Sequence, residues 1–144
     1  ELDIMNNEFS ILEQEQSNIF WEKTRKLQVF TSLQGNLLRV VVPVSETFEV
    51  IQKLKNYEIN YFLDWGGSLI WVQIDEINTK ILREIKEIVQ KAAGYLTVIK
   101  IEEDMKATID IFTVDPIKYK ISEKIKKSFD PKRILNPGKM YSGI

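Results

Sequence analysis

The side chains able to do chemistry in this chain are carboxylates, lysines and Arg39, because histidine and cysteine are both absent. Their absence excludes thiolate and imidazole catalysis, Cys/His zinc sites and cysteine-ligated iron–sulfur clusters. Arg39 stands among valines, and an arginine can bind a carboxylate through two parallel hydrogen bonds. The alternative for Arg39 is a packed stem whose charged head reaches water. Asp64 is either a buried base or, as we favour, a solvated or turn-bonding aspartate.

Neither the glycines nor the lysines indicate a nucleotide or metal site by themselves. The chain contains no phosphate loop and no Gly-x-Gly-x-x-Gly pattern. Gly66-Gly67 is followed by no helical pattern, so it predicts a hairpin turn rather than a phosphate cradle. Lys120, Lys124 and Lys127 fall off the apolar stripe of their helix and predict a solvated face. We therefore assign no catalytic residue and no metal ligand.

The composition is that of one globular domain with a sizeable core: 144 residues, 44% hydrophobic and 28% charged. A net charge of −1 provides no general attraction to nucleic acid or to a membrane. Residues 1–22 carry acids and no base whereas residues 118–139 are basic, which favours solvated faces over a binding patch. No apolar run approaches the ~20 residues of a membrane span. The chain begins at Glu1 without a signal peptide, and we expect it to be a piece of a longer protein.

Hydrophobic periodicity predicts a succession of helices and strands. A helical period covers residues 12–30, with Ser10 as its cap, and a β-branched strand covers residues 37–44. Ser45 then caps a helix whose buried stripe is Phe48, Ile51 and Leu54. The later elements are a helix over residues 79–93 between Asn78 and Gly94, a strand over 95–101, a loop over 102–107, a short strand over 108–114, and a helix that begins at Asp115-Pro116.

Residues 57–74 carry the clearest structural signal, because two alternating runs flank Gly66-Gly67. A two-residue turn there pairs Phe62 with Trp71 and Tyr61 with Val72. The face predicted to join the core carries Ile59, Tyr61, Leu63, Trp65, Ile70, Val72 and Ile74. The opposite face of the sheet is mixed, and its Phe62–Trp71 pair is large for a surface in water; it carries Arg39, Val41, Phe62, Asp64, Leu69 and Trp71.

The order strand, helix, strand, strand, helix, strand predicts an α+β fold. It is a ferredoxin-like split βαβ antiparallel sheet with two helices on one face, plus N-terminal and C-terminal helices. We expect residues 1–144 to form a single domain. Beyond the last helix, Pro131 and Pro137 fix φ and push Asp130 and Asn136 towards extended geometry. The tail is therefore a stiff path that is suited to lying against another surface.

The tail also resembles a family signature. The run Phe129-Asp-Pro-Lys-Arg-Ile-Leu-Asn-Pro-Gly-Lys-Met-Tyr141 resembles the C-terminal signature of FAD-linked oxidases of the vanillyl-alcohol oxidase class. Shorter stretches narrow the resemblance to the FAD-binding subunits of bacterial glycolate oxidases: Asp64-Trp65-Gly66-Gly67, Ala93-Gly94-Tyr95, Leu38-Arg39-Val40 ahead of Pro43, and Phe20-Trp21. Together these stretches extend over about residues 20–144.

This resemblance implies the cap half of a flavoprotein subunit. In that family a separate N-terminal domain binds most of the FAD, and the C-terminal domain covers the flavin and helps to form the substrate pocket. The partners implied are that N-terminal FAD-binding domain, a sister flavin subunit and an iron–sulfur subunit. The reaction implied is oxidation of glycolate, or another short 2-hydroxy acid, to the 2-oxo acid. We expect FAD in the full-length subunit and not on this fragment, which is expected to be inactive alone. The location implied is the cytoplasm, at the inner membrane through the complex.

The resemblance assigns roles to five residues. Arg39, Phe62 and Trp71 are the predicted substrate-binding residues, and Asn136 and Lys139 are the predicted cofactor contacts. The chain lacks the histidines that catalytic members use near the flavin. Two other hypotheses stand beside this one. In the first, the chain is a non-catalytic structural subunit, and a pull-down of the sister subunit by flavin-free protein would favour it. In the second, the chain is a free-standing ferredoxin-like module that binds a small effector, and a dimer across the open sheet face would favour it.

Overall fold

The structure of this chain is a computed structural model, which describes residues 11–28, 30, 35–106, 108–113, 115–137, 139 and 141. The chain divides into two compact units, residues 1–33 and residues 34–144. In the first unit, helix α1 covers Gln14–Arg25, and the amide of Glu13 donates to the side chain of Gln16 (3.1 Å). This helix is shorter than the predicted 12–30, and its predicted cap, Ser10, lies outside the described residues.

The second unit contains a four-stranded antiparallel sheet in the order β2-β3-β1-β4. Its strands are β1 (Asn36–Val41), β2 (Ile59–Asp64), β3 (Leu69–Ile74) and β4 (Tyr95–Lys100). Helix α2 (Thr47–Leu54) connects β1 to β2, and helix α3 (Thr79–Lys91) connects β3 to β4. A short helix, α4 (Glu103–Lys106), and a long one, α5 (Pro116–Phe129), follow. The βαββαβ succession confirms the predicted ferredoxin-like α+β fold.

The core lies between one face of the sheet and helices α2 and α3. Its buried side chains include Leu38 and Val40 of β1, Ile70, Val72 and Ile74 of β3, Leu96 and Val98 of β4, Val50, Ile51 and Leu54 of α2, and Leu82, Ile85 and Val89 of α3. Tyr61 and Leu63 were predicted in this core, but they are 39% and 40% exposed, because β2 is an edge strand with a neighbour on one side only. Phe48 was also predicted in it and is 67% exposed, because the buried face of α2 leaves Phe48 on its flank.

The β2–β3 hairpin has the predicted register, with Phe62 opposite Trp71 and Tyr61 opposite Val72. Gly66 and Gly67 have φ angles of 62° and 98°, the positive values that a primed hairpin turn requires. The amide of Ser68 closes the turn on the carbonyl of Trp65 (3.3 Å). The glycine pair therefore works as a turn, as the sequence predicted.

Two of the predicted helix caps are confirmed and one is wrong. Asn78 Oδ1 accepts the amide of Ile81 (2.9 Å) at the start of α3. Asp115 Oδ1 accepts the amides of Ile117 (2.8 Å) and Lys118 (3.1 Å) at the start of α5. Ser45 caps nothing, because it lies inside a 3-10 turn (Val44–Glu46) that precedes α2.

The chain after β4 departs in two places from the predicted elements. Helix α4 stands where a loop was predicted over residues 102–107, because it buries Met105 (9% exposed) in the core. The predicted strand over 108–114 is reduced to one bridge, Phe112 opposite Thr97 of β4, and residue 114 lies outside the described part. Two backbone hydrogen bonds flank that bridge, one of them from the amide of Val98 to Ile111 (2.8 Å). Residues 111–113 therefore extend the sheet beyond β4.

Candidate functional site

The three predicted substrate-binding residues lie in one row across the sheet. Phe62 on β2 is opposite Trp71 on β3, Trp71 is opposite Arg39 on β1, and Arg39 is opposite Thr97 on β4. Directly opposed residues in an antiparallel sheet point to the same face, so these four side chains share the face away from α2 and α3. All four are half-buried. The sheet thus brings together an aromatic pair and a cation.

Arg39 stacks against a third aromatic residue. Its guanidinium carbon lies 4.9 Å from the ring centroid of Trp65, in a cation–π arrangement. The structure shows neither a hydrogen bond nor an ion pair for this guanidinium within the described part of the chain. All donors of a guanidinium lie in its own plane, so a ring on one face leaves them free. Arg39 is therefore a cation that is able to bind an anion edge-on.

Trp65 was predicted on the core face, and that prediction is wrong. Strict alternation along β2 assigns Trp65 to the core, but its φ of 52° breaks the alternation. The ring then lies beside Arg39, 58% exposed, and not among the core residues. The signal for this turn was Asp64 ahead of the glycine pair, and the turn-bonding role that the sequence favoured for Asp64 is confirmed. Asp64 Oδ1 accepts the amide of Trp65 (2.7 Å) and stabilises this unusual conformation.

An aromatic cluster continues from the end of this row. The ring of Tyr141 lies 6.2 Å from that of Phe112 and 5.5 Å from that of Tyr119 on α5, centroid to centroid. Tyr141 is 6% exposed. Since Phe112 pairs with Thr97, these contacts hold the last described residue of the tail beside β4. The tail is therefore attached at the same sheet face that carries Arg39.

The near end of the tail is held by Asp130, which is 5% exposed. Its carboxylate accepts the amides of Ile134 (3.0 Å) and Leu135 (2.9 Å) and lies 2.8 Å from Lys126 Nζ. Lys126 also donates to the carbonyl of Leu135. The hydrogen bond from Lys126, followed by those from the two amides, lowers the pKa of Asp130 although burial opposes the shift. Asp130 therefore folds the tail back at the end of α5.

Asn136 and Lys139, the predicted cofactor contacts, are both exposed. The amide of Lys139 donates to the carbonyl of Asn136 (3.3 Å), and Asn136 has a φ of 46°. The two residues therefore belong to one turn, and no described contact joins either of them to Arg39. Gly138, which lies between them, is outside the described residues.

Helix α5 exposes its apolar side. Ile117, Ile121, Ile125 and Phe129 recur every four residues and are 71%, 53%, 54% and 83% exposed. Ile134 and Leu135 in the tail are 71% and 60% exposed. We call these six side chains the apolar stripe. Lys120, Lys124 and Lys127 are exposed as well, which confirms the solvated lysine face. Six large apolar side chains this exposed, on one helix and the segment after it, are unusual on a surface that faces only water.

Lys86 on α3 holds the segment that precedes α5. Its ammonium group donates to the backbone carbonyls of Asp110 and Phe112. Burial lowers the pKa of Lys86, and the nearby charge of Asp110 acts in the opposite direction. Lys86 thereby fixes Phe112, on which Tyr141 packs.

No group of three side chains suited to bind a metal ion occurs in the described part of the chain. Among the same residues, no helix is both long enough and apolar enough to cross a membrane. The glycine pair at 66–67 sits in a hairpin and not at a helix N-terminus, so it forms no phosphate cradle.

Comparison with known proteins identifies a class for the end of the chain. Residues 112–140 match the family described as FAD linked oxidases, C-terminal domain. This stretch contains Phe112, α5 and the tail as far as Met140. The match confirms the resemblance that the tail signature predicted.

A particular relative supports the same class. The chain is 26% identical over 126 residues to the glycolate oxidase subunit GlcE of Escherichia coli strain K12. The aligned part is 87% of this chain and 32% of GlcE, so the chain spans about a third of the curated relative that it matches. No solved structure matches the chain.

Proposed function

We propose that this chain is the cap domain of a flavin-dependent 2-hydroxy-acid oxidase subunit, with glycolate or a similarly short acid as substrate. The observation that carries the proposal is the row of Phe62, Trp71 and Arg39 on one sheet face. It offers a flat apolar wall beside a cation with free donors. The similarity to GlcE and the FAD-linked oxidase match supply the class of reaction.

In this proposal Arg39 binds the substrate carboxylate. Two parallel hydrogen bonds from one guanidinium to one carboxylate hold both the position and the orientation of a small acid. Trp71 lies next to Arg39, and Phe62 lies beyond Trp71 in the same row. The two rings exclude water, which strengthens the charge-assisted hydrogen bonds. Bound FAD would supply the hydride acceptor for oxidation of the carbon that bears the hydroxyl group, and the hydroxyl proton would pass to a base outside this chain. This chain supplies no histidine as a base, and its share of the work is to bind, orient and shield.

The apolar stripe of α5 and the tail is the proposed docking surface for the FAD-binding domain of the same subunit. Its side chains are more than half exposed in this chain. Each isoleucine or phenylalanine, once buried, contributes about 1.5–3 kcal/mol. Asn136 and Lys139 lie in the tail that joins this stripe, so docking brings their amide and ammonium groups to the cofactor side. The single cap domain over residues 1–144 is part of the same proposal.

The full-length protein is further proposed to work in a complex with a sister flavin subunit and an iron–sulfur subunit, in the cytoplasm and at the inner membrane through that complex. The absence of histidine favours a second role, that of a non-catalytic subunit that organises such a complex. The two roles differ in a simple respect. A catalytic cap needs Arg39 for turnover, whereas an organising subunit does not.

The test uses the full-length protein that contains this chain, purified in the presence of FAD. We expect a yellow protein that oxidises glycolate, and we expect Arg39→Ala to raise KM by roughly 10- to 100-fold with its FAD content unchanged. Arg83→Ala is the matched control, because Arg83 is an exposed arginine on α3. A protein that stays colourless at saturating FAD contradicts the flavin role. An unchanged KM in Arg39→Ala contradicts only the role of Arg39.

A further inference from the structure

We propose that Trp65 positions Arg39 for a short carboxylate, and that the turn over residues 64–67 is built to hold the Trp65 indole in place. This inference rests on the proposed function and adds a residue that positions the substrate-binding cation. Neither the family match nor the similarity to GlcE assigns a role to Trp65. The argument depends on the backbone of the turn and on its contact with β1.

The backbone at Trp65 is in a conformation that large side chains avoid. Its φ is 52°, and the two glycines that follow also have positive φ. A non-glycine residue persists there only where its surroundings impose the conformation. A tryptophan that simply completed a hairpin would follow the alternation of β2 and point to the core.

Hydrogen bonds on each side impose this conformation. Asp64 Oδ1 accepts the Trp65 amide (2.7 Å), and the Trp65 carbonyl accepts both the amide (3.3 Å) and the hydroxyl (3.0 Å) of Ser68. Thr47 Oγ1 donates to the carbonyl of Gly67 (2.7 Å) and ties the turn to the start of α2. These hydrogen bonds fix the turn, and the fixed turn places the indole ring of Trp65 over Arg39.

The stack restricts the side chain of Arg39 and leaves its hydrogen-bond donors available. The ring covers one face of the guanidinium at 4.9 Å, and the donors in the guanidinium plane stay free. An arginine side chain loses much rotational freedom when it binds, and a stack that has already restricted it lowers that cost. Trp71 and Thr97 flank Arg39 along the row. A carboxylate then has to enter between these walls, so a short acid fits better than one with a long chain.

The first experiment tests the stack in this chain by NMR, on the Nε–H resonance of Arg39. We expect an upfield shift from the indole ring current, which Trp65→Ala abolishes and Trp65→Phe partly keeps. Trp21→Ala is the control, because Trp21 lies on α1 and is 57% exposed, close to the 58% of Trp65. An Arg39 resonance that is the same in Trp65→Ala overturns the proposal. Trp65→Phe keeps an aromatic ring if Trp65→Ala fails to fold.

The second experiment measures oxidation of glycolate and of 2-hydroxyoctanoate by the full-length protein with FAD. We expect Trp65→Ala to raise KM for glycolate about three- to fivefold with kcat kept, and to reduce the preference for glycolate over the longer acid. The KM of Trp65→Phe for glycolate should be close to that of the unsubstituted protein. An equal KM in Trp65→Ala and the unsubstituted protein overturns the positioning role. Failure of the unsubstituted protein to oxidise either acid overturns the proposed function instead.

Discussion

Lys126 Nζ lies 2.8 Å from Asp130 Oδ2, and their side chains are only 16% and 6% exposed, which makes this the most buried ion pair in the described part of the chain. The same carboxylate accepts the amides of Ile134 and Leu135. One buried charge thus fixes the direction in which the tail leaves α5. The tail carries the family signature and the proposed cofactor contacts, so this ion pair sets where those residues lie relative to α5.

Asp130→Asn should release the tail. The amide group loses the ion pair with Lys126 and one of its acceptor oxygens, so we expect a lower melting temperature at neutral pH. The amides of Ile134 and Leu135 should exchange faster with deuterium. Glu22→Gln is the control, because Glu22 forms an exposed ion pair with Lys26 (2.7 Å) at the end of α1. Unchanged exchange at Ile134 in Asp130→Asn would show that the tail is held in another way.

The same pair predicts a pH dependence. The pKa of Asp130 is lower in the folded chain than in the unfolded chain, chiefly through Lys126. Its contribution to stability is therefore complete above the unfolded value of about 4 and disappears as the pH falls through the folded pKa. Melting temperatures of the unsubstituted chain and of Asp130→Asn should differ at pH 7 and converge in acid. A difference that persists at the lowest pH contradicts this.

Asn36 should be the most costly polar side chain to truncate. It is fully buried; its amide group donates to the carbonyls of Ile74 (3.3 Å) and Asp75 (3.1 Å), and its oxygen accepts the amide of Glu102 (3.1 Å). Asn36→Ala leaves these backbone groups without partners, which should cost about 2–3 kcal/mol in denaturant unfolding. Asn60→Ala, at an exposed position on β2, should change stability by less than about 0.5 kcal/mol.

Gly94 should tolerate no larger residue. The left-handed residue after α3 is Ala93 (φ 52°), so Gly94 is not the helix stop that the sequence predicted. A Cβ at Gly94 would lie 2.5 Å from the carbonyl oxygen of Val41 and 2.5 Å from Val42 Cγ1. We expect Gly94→Ala to lower the free energy of unfolding, measured with denaturant, by about 1–3 kcal/mol. In Gly66→Ala the Cβ meets nothing within 4 Å, and only the φ of 62° adds about 1 kcal/mol.

The apolar stripe should be dispensable for folding and necessary for docking. Ile121→Glu with Ile125→Glu should leave the denaturant stability of this chain within about 0.5 kcal/mol, since both side chains are more than half exposed. In the full-length protein the same pair should weaken FAD retention. Lys120→Glu with Lys124→Glu changes charge beside the stripe and is the control. A large loss of stability in the isolated chain would show that the stripe is already packed.

Much of the fold follows from local patterns in the sequence. The glycine pair and the alternation around it determine that Phe62 faces Trp71, because the turn geometry sets the register. Asn78 and Asp115 start their helices because their side chains bind nearby amides. Predicting the row of Phe62, Trp71 and Arg39 also requires the βαββαβ topology, because that topology places β1 beside β3. The tail signature was readable directly as a motif.

The sequence by itself therefore determined the order of elements, the hairpin register and the resemblance of the tail. Tertiary structure decided the face on which Trp65 lies, because a positive φ at one residue reverses its direction and only the contacts of the turn impose that φ. It also decided that Ile121 and Ile125 are exposed. A periodic row of apolar residues indicates that one side of a helix is suited to burial. Which surface buries it depends on distant parts of the chain or on another domain.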